Sequence, residues 1–200
     1  MINTIVFDFG GVLIDWNPRH LYKNVFTSNQ EMEQFLSDIC NDEWNLQQDK
    51  GRSFSEGISL LKNKYPAHSK NIELFYSQWE EMLNGEISGT VEILKQLKSQ
   101  YKVYGLTNWS SETFPIALEK FPFLGLFDGI VVSGDEKMIK PDQKFYQLLL
   151  ERYNLNAANC VFIDDNIKNV NAALTLGFHA LHFTNPDKLR SDLQMLDVII

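Results

Sequence analysis

Five apolar segments along the chain each predict a short, buried β-strand. Residues 5–7 form a continuous β-prone run without polar alternation, as is typical of a parallel sheet covered on both faces. Similar segments follow after a long gap, at residues 102–106, 130–132, 161–163 and 179–183. The spacing therefore predicts one early strand and four strands in the second half of the chain.

Helical periodicity fills the intervals between the later strands. Val91, Leu94 and Leu97 recur at the three-residue spacing of a buried helix face. The predicted helices cover residues 90–100, residues 114–120 with Ser110 or Ser111 as the N-terminal cap, the segment after Pro141, and residues 166–176 with Gly177 as the C-terminal cap. Strands and helices that alternate with short loops predict a parallel sheet with right-handed crossovers, a doubly wound α/β fold.

Residues 15–86 have a different pattern and predict only helices. Ser28 is a candidate N-terminal cap, and Ser53 and Glu56 have the spacing of a capping box, in a helix that Pro66 ends. A last helix is predicted over residues 71–83, and no strand is predicted in this segment. The sequence thus indicates a core of residues 1–14 and 87–200, with a small helical bundle at residues 15–86 inserted after the first strand.

Composition and charge narrow the class of protein. The chain has 200 residues, of which 44% are apolar and 22% charged, as in an ordinary globular protein. Its net charge of −8 argues against a nucleic-acid partner, which needs a basic face. Cys40 and Cys160 are too few for a disulfide framework or a zinc site. Because we find neither a basic leader nor an apolar run of membrane-spanning length, we expect a cytoplasmic protein without a membrane partner.

Polar residues follow the predicted strands at the edge where open α/β sheets bind ligands. Asp8, Thr107 and the pair Asp164 and Asp165 should converge there, with Lys140 reaching in from a loop. Because clustered carboxylates repel one another, such a site needs a cation, and oxygen ligands without His or Cys favour magnesium. A lysine and a hydroxyl beside a metal suit a phosphoryl group. Asp8 is then the natural nucleophile, forming an acyl phosphate.

Four motifs together resemble those of the haloacid dehalogenase superfamily. They are Asp8-Phe9-Gly10-Gly11-Val12, Leu106-Thr107-Asn108, Lys140-Pro141 and Ile163-Asp164-Asp165-Asn166, in the order of the family and at predicted strand ends. The resemblance covers nearly the whole chain. It implies a Rossmann-like three-layer core with a parallel sheet, plus an inserted α-helical cap of the four-helix-bundle type.

The resemblance also implies roles for individual residues. It implies that Asp8 is the nucleophile and a magnesium ligand, with the backbone carbonyl of Gly10 and the carboxylate of Asp165 as further metal ligands. Asp164 would be a ligand through water or a supporting partner. Thr107 and Asn108 would contact the phosphate, and Lys140 would neutralise the charge of the nucleophile and the phosphoryl group. The implied activity is a magnesium-dependent phosphatase that hydrolyses a small phosphomonoester, such as a sugar phosphate.

One position departs from the phosphatase pattern. Phosphatases of this superfamily usually carry a second aspartate two residues after the nucleophile as general acid and base, and here that position is Gly10. General acid–base catalysis is typically worth roughly 10² to 10⁴ in rate, so its loss matters most for a poor leaving group. Asp15 and His20 are candidate substitutes, although each has a structural interpretation as well.

Two other functions remain open at this stage. A metal-independent 2-haloacid dehalogenase also lacks the second aspartate, but two adjacent carboxylates at Asp164 and Asp165 would repel its anionic substrate. A catalytically idle binding or regulatory module is the second alternative.

Substrate choice should depend on the inserted segment. The turn at residues 49–53, between its helices, resembles the loop that faces the active site in this subgroup of the family. Lys50 and Arg52 in this turn are candidates for substrate contact, as is Trp109 beside the phosphate motif. His179 and His182 are interpreted as structural and distant from the cluster. We expect a monomer or a weak homodimer.

Overall fold

A five-stranded parallel sheet lies at the centre of the molecule, and the computed structural model describes all 200 residues. The strands in chain order are β1 (Thr4–Phe7), β2 (Ile14–Trp16), β3 (Leu83–Glu86), β4 (Lys102–Thr107), β5 (Gly129–Val132), β6 (Cys160–Asp164) and β7 (His179–His182). The sheet has the order β5-β4-β1-β6-β7, and every neighbouring pair in it is parallel. The five strands expected from the apolar segments, and their parallel arrangement, are confirmed.

Eleven α-helices accompany the strands. They are α1 (Pro18–Tyr22), α2 (Asn29–Asp38), α3 (Asp42–Asp49), α4 (Phe54–Lys64), α5 (Ser69–Ser77), α6 (Ser88–Leu97), α7 (Phe114–Lys120), α8 (Ser133–Glu136), α9 (Gln143–Arg152), α10 (Ile167–Thr175) and α11 (Pro186–Met195). Single 3₁₀ turns lie at Pro66–His68, Trp79–Met82, Pro122–Leu126 and Ala157–Asn159.

The three central strands, β4, β1 and β6, are covered on both faces, which is why they lack polar alternation. Successive side chains of a strand point to opposite faces, so Ile5 and Phe7 belong to one apolar cluster and Val6 to another. The first cluster contains the buried faces of α6 and α11, and the second those of α9 and α10. The core therefore has three layers, as in other doubly wound folds.

The inserted segment, residues 15–86, contains α1 to α5, and the prediction that it lacks strands is wrong. Strand β2 pairs antiparallel with β3, so that the two ends of the segment meet in a small separate sheet. These strands are only three and four residues long, and Gly85 has a positive φ of 111°. Elements that short carry no detectable alternation, so their pairing depends on tertiary contact.

The helix predicted over residues 71–83 is also shorter than expected. Helix α5 ends at Ser77, and Trp79–Met82 form a 3₁₀ turn before β3 begins. Trp79 and Met82 are both buried, and the Trp79 ring lies edge-on to Trp109 of the core, with 5.6 Å between the centroids. Packing between the inserted segment and the core therefore overrides the helical pattern.

Three of the predicted helix caps are found in the structure. Ser28 and Ser53 accept hydrogen bonds from the backbone N–H groups of Glu31 and Glu56, and Gly177 adopts a positive φ of 87° just after α10. The predicted cap at Ser110 or Ser111 is wrong, because α7 begins three residues later at Phe114, where a proline in its first turn fixes the start.

Three polar contacts tie the part of the inserted segment around the end of α3 to the core. Ser133 Oγ donates to the carbonyl oxygen of Asp49 at 2.5 Å, and the N–H of Phe54 donates to Glu112 Oε1 at 2.7 Å. Lys137 Nζ donates to the carbonyl of Gly51 at 3.4 Å. The turn that follows α3 is therefore held against the carboxyl edge of the sheet. None of the helices has both the length and the apolar character needed to cross a membrane.

Candidate active site

The predicted site residues lie where three neighbouring strands end. Asp8 follows β1 directly, Thr107 is the last residue of β4, and Asp164 is the last residue of β6. Because β4 and β6 flank β1 in a parallel sheet, their ends meet at one edge. The sheet register thus brings together side chains that are far apart in the sequence.

Lys140 lies between two of the carboxylates. Its Nζ is 2.8 Å from Asp8 Oδ2 and 2.7 Å from Asp164 Oδ2, and its side chain is fully buried. The side chain of Asn108 holds the lysine backbone from both sides, because its Oδ1 accepts from the Lys140 N–H at 2.8 Å and its Nδ2 donates to the Lys140 carbonyl at 3.0 Å. The amide of Asn108 is therefore occupied in positioning this loop, a role that its motif does not indicate.

Asp164 is fixed by a set of hydrogen bonds that sequence reasoning missed. The N–H of Asn166 donates to its Oδ1 at 2.8 Å, and Asn169 Nδ2 lies 3.0 and 3.1 Å from its two oxygens. Asn169 is buried in α10. The only sign of its role in the sequence was an asparagine about one helical turn after the motif that contains Asp164. With Lys140 also bonded, the orientation of the Asp164 carboxylate is determined from three sides.

Charge and burial perturb the ionisation of the cluster. Burial, together with the negative charges of Asp164 and Asp165, raises the pKa of Asp8 to about 8, although Lys140 opposes the shift. Burial also raises the pKa of Asp165, with Asp164 adding to the effect. For Lys140, burial lowers the pKa, but the two carboxylates outweigh it and the pKa lies above its usual value. One lysine thus balances the charge of the cluster only in part.

The donor set fits a hard divalent cation. Oxygen atoms of Asp8, Asp164 and Asp165 lie within 4.8 Å of one another, and no His or Cys joins them. Gly11 makes room for Asp165, since a Cβ at Gly11 would stand 2.4 Å from Asp165 Oδ2. The buried hydroxyl of Thr107 has no hydrogen-bond partner, which leaves it free for a ligand oxygen. The residues present therefore suit magnesium and an anionic ligand.

A pocket lies between the inserted segment and the edge of the sheet. It has a cavity volume of about 60 Å³, and Gly10, Asn108 and Asp49 contribute to its lining. Its five apolar lining residues are aromatic: Trp16, Phe54, Tyr76, Trp79 and Trp109. A Cβ at Gly10 would meet no atom within 4 Å, so the space beside this glycine is open. The pocket therefore adjoins the residue that departs from the phosphatase pattern.

The structure places four other candidates away from this pocket. Lys50 is exposed, and Arg52 donates to Gln48 Oε1 at 2.5 Å within the inserted segment. Asp15 and His20 bond to each other, with 3.2 Å between His20 Nε2 and Asp15 Oδ1. None of the four lines the pocket at Gly10. Trp109, by contrast, does line it.

His182 lies closer to the site than its sequence position indicates. Its Nε2 is 2.8 Å from the backbone carbonyl oxygen of Asp165, and its backbone pairs with that of Asp164. The interpretation of His182 as distant from the cluster is therefore wrong, because β7 continues to the same edge of the sheet. His179, at the other end of β7, contacts the carbonyl of Ala158 instead.

Comparisons with known proteins agree with this geometry. The family model described as haloacid dehalogenase-like hydrolase matches residues 5–182. A sesquiterpene phosphatase of Aspergillus oryzae is 31% identical over 196 residues, which cover 97% of this chain and 95% of that protein. A drimenol cyclase of Aspergillus calidoustus is 27% identical over 197 residues, covering 96% of this chain but only 36% of the longer relative.

A solved structure with the same fold is also similar over nearly its full length. It is a HAD family enzyme of Bacteroides thetaiotaomicron in complex with magnesium and inorganic phosphate. The two chains superpose with a TM-score of 0.69 at 23% identity, over 92% of this chain and 96% of the other.

Proposed function

Because this chain belongs to the haloacid dehalogenase-like hydrolase family, we propose that it is a magnesium-dependent phosphatase acting on small phosphomonoesters through a phosphoaspartyl intermediate on Asp8. The observation that carries the proposal is the cluster of Asp8, Lys140, Asp164 and Asp165 at the strand ends, in which all but Asp165 are buried. The phosphatase activity named for the relative from Aspergillus oryzae supports it.

Each residue of the cluster has a role in phosphoryl transfer. An oxygen of Asp8 attacks phosphorus, and the bond from phosphorus to the leaving oxygen breaks as the acyl phosphate forms. Lys140 and the unpartnered hydroxyl of Thr107 donate to phosphoryl oxygens, where negative charge is stabilised in the transition state. Asn108 contributes by holding the Lys140 loop. Water then attacks phosphorus and releases phosphate from Asp8.

Magnesium is the implied cofactor. When bound, it would supply positive charge to the phosphoryl group and to the crowded carboxylates. Asp8, Asp165 and the backbone carbonyl of Gly10 would hold it, with Asp164 contributing its negative charge. That positive charge would offset the burial and mutual repulsion that raise the pKa values of Asp8 and Asp165.

The inserted segment would serve as a lid over this site. We place the two domain boundaries at residues 14/15 and 86/87. The paired strands β2 and β3 lie side by side there and connect the segment to the core. Asp8 is only 8% exposed with the segment packed against the sheet, so substrate entry requires the two parts to separate. Closure would then exclude water while the acyl phosphate forms.

The lining of the pocket supports a proposal for the leaving group. Five aromatic side chains beside the phosphoryl site favour an ester whose leaving group has an apolar part, such as an aryl or isoprenoid alcohol, which the cavity of about 60 Å³ would admit when the lid opens. The name of the sesquiterpene phosphatase is consistent with that class. A sugar phosphate remains the second candidate, because Asn45 and Asp49 also line the pocket and can bond hydroxyl groups.

The first experiment is hydrolysis of p-nitrophenyl phosphate with and without magnesium, beside chloride release from 2-chloropropionate in chelator. We expect phosphate release that requires magnesium, and no halide release. An isoprenyl monophosphate and a hexose phosphate should then be compared by kcat/KM, with the isoprenyl ester preferred. Halide release without metal would establish the dehalogenase alternative, and inactivity on every ester would favour the idle binding module.

Asp165→Ala should weaken magnesium binding at the site, and so raise the magnesium requirement, while leaving the fold unchanged. Loss of a metal-binding carboxylate is expected to raise the magnesium concentration for half-maximal activity by at least about tenfold. Magnesium titrations of activity measure this directly. Asp135→Ala, which removes an exposed carboxylate of α8, is the matched control and should titrate as the wild type does. An unchanged titration for Asp165→Ala would remove this residue as a ligand.

A further inference from the structure

The structure offers a replacement for the general acid and base that is missing at position 10. Hydrolysis of an unactivated ester needs a proton for the leaving oxygen, and Gly10 cannot supply one. The space beside Gly10 is open, since a Cβ there would meet no atom within 4 Å. A group that reaches this space from another element can take the place of a side chain at position 10.

Asp49 is the ionisable carboxyl group that lines the same pocket as Gly10. It is the last residue of α3 in the inserted segment, and Ser133 Oγ of the core donates to its backbone carbonyl at 2.5 Å. That contact spans the boundary between lid and core. The position of the Asp49 carboxyl group relative to the core therefore depends on closure of the inserted segment.

A chain of hydrogen bonds orients the Asp49 side chain. Tyr76 OH donates to Asn45 Oδ1 at 2.8 Å, which fixes the amide so that Asn45 Nδ2 donates to Asp49 Oδ2 at 3.0 Å. Gln48 Nε2 in turn donates to Tyr76 OH at 2.9 Å. One oxygen of Asp49 is thus held by side-chain contacts, as is typical of a positioned catalytic group.

The surroundings of Asp49 keep a proton available near neutral pH. Burial raises its pKa to about 7, and the backbone N–H of Ser110 opposes the shift. Tyr76, the other ionisable group of the pocket, stays neutral because burial raises its pKa as well. The charged groups on the packed elements bond elsewhere: Arg52 to Gln48, Lys137 to Gly51 and Glu112 to Phe54.

A purely structural role explains Asp49 poorly. A carboxylate at the C-terminal end of a helix opposes the helix dipole and costs stability. No lysine, arginine or histidine charge offsets its burial, since charged side chains make no contribution to its pKa. Such a position is costly for folding and useful for proton transfer.

We propose that Asp49 is the general acid and base of this enzyme, acting from the lid in place of an aspartate at position 10. The proposal rests on the phosphatase function proposed above. As Asp8 bonds to phosphorus, the bond to the leaving oxygen breaks and that oxygen takes the carboxyl proton of Asp49, giving the free alcohol. The Asp49 carboxylate then takes a proton from the water that attacks phosphorus, and the acyl phosphate on Asp8 separates into carboxylate and inorganic phosphate.

Leaving-group dependence tests this role. Asp49→Asn should lower kcat/KM for an alkyl phosphate by about 10² to 10⁴, and for p-nitrophenyl phosphate by less than about fivefold, because a nitrophenolate leaves without a proton. The wild type should lose activity on the alkyl ester as pH rises through about 7, where Asp49 gives up its proton, and Asp49→Asn should lack that limb. Glu43→Gln, an exposed carboxyl group on the same helix, is the matched control.

A second variant keeps the test independent of how well Asp49→Asn folds. Gly10→Asp restores the family arrangement, so it should recover alkyl-phosphate turnover at least about tenfold in the Asp49→Asn background. The recovery should be confined to the alkyl ester, because the aryl ester does not need the proton. An equal loss on aryl and alkyl esters in Asp49→Asn would overturn the proposal. Absence of any magnesium-dependent aryl-phosphate hydrolysis by the wild type would instead refute the phosphatase function itself.

Discussion

Asp8→Asn should abolish turnover of every phosphate ester while the protein stays folded. An amide is not a nucleophile toward phosphorus, so the acyl phosphate cannot form and kcat should fall by at least about 10⁴-fold. The substitution nearly preserves volume at a position that is almost fully buried, and Asn can still accept from Lys140. Steady-state kinetics on p-nitrophenyl phosphate measure the fall in kcat. Rapid acid quench with a labelled substrate tests whether the phosphoenzyme forms.

Asp135→Asn is the matched control for this variant, because Asp135 is exposed in α8 and takes no part in the cluster. It should keep wild-type kinetics and the acid-trapped phosphoenzyme. Thermal unfolding of both variants separates loss of chemistry from loss of fold. Residual turnover of Asp8→Asn above about a hundredth of the wild-type rate would remove Asp8 as the nucleophile.

The strands and their ends were predictable because the signal is local and periodic. Residues 5–7 and 161–163 are apolar without alternation, and both segments are covered on two faces in the structure. The polar residue after each segment then falls at the edge of a parallel sheet by topology alone. Asp8, Thr107 and Asp164 could therefore be placed together without coordinates.

The parts that could not be predicted depend on contacts between distant elements. Strands β2 and β3 pair across the whole inserted segment, and neither is long enough to show alternation. The break after Ser77 arises because Trp79 packs on Trp109, a contact across thirty residues of chain. Such pairings have no local signature, so propensity gives a continuous helix instead.

The supporting residues of the site were missed for the same reason. Asn108 was identified by its motif as a phosphate contact, yet both atoms of its amide bond to the backbone of Lys140. Asp49 begins the turn that was expected to face the active site, but Lys50 and Arg52 were chosen from that turn, and only Asp49 of the three lines the pocket. Motifs identify the residues that meet the phosphoryl group, whereas the groups that orient them are visible only in the structure.

Lys140→Met should impair both stability and catalysis, and the loss of stability should be largest in metal-free protein at high pH. The lysine is the buried cation between Asp8 and Asp164, and removing one member of a buried ion pair typically costs about 3–5 kcal/mol. Loss of the donor to the phosphoryl group should lower kcat by a further factor of about 10² to 10³. Urea unfolding in chelator and kinetics at saturating magnesium measure the two effects separately.

The pH dependence of this variant follows from Asp8. Its pKa is about 8 in the folded protein against 3.8 for a free carboxyl group, and loss of Lys140 removes the charge that holds it down. Between these values the folded state binds a proton that the unfolded state has released, so stability falls as pH rises from about 4 to 8. Lys140→Met should therefore recover stability at pH 5.5 relative to pH 8, and more than the wild type does. Lys144→Met, at an exposed lysine of α9, should change neither quantity, and an equally small effect at Lys140 would show that the buried lysine does not balance the carboxylates.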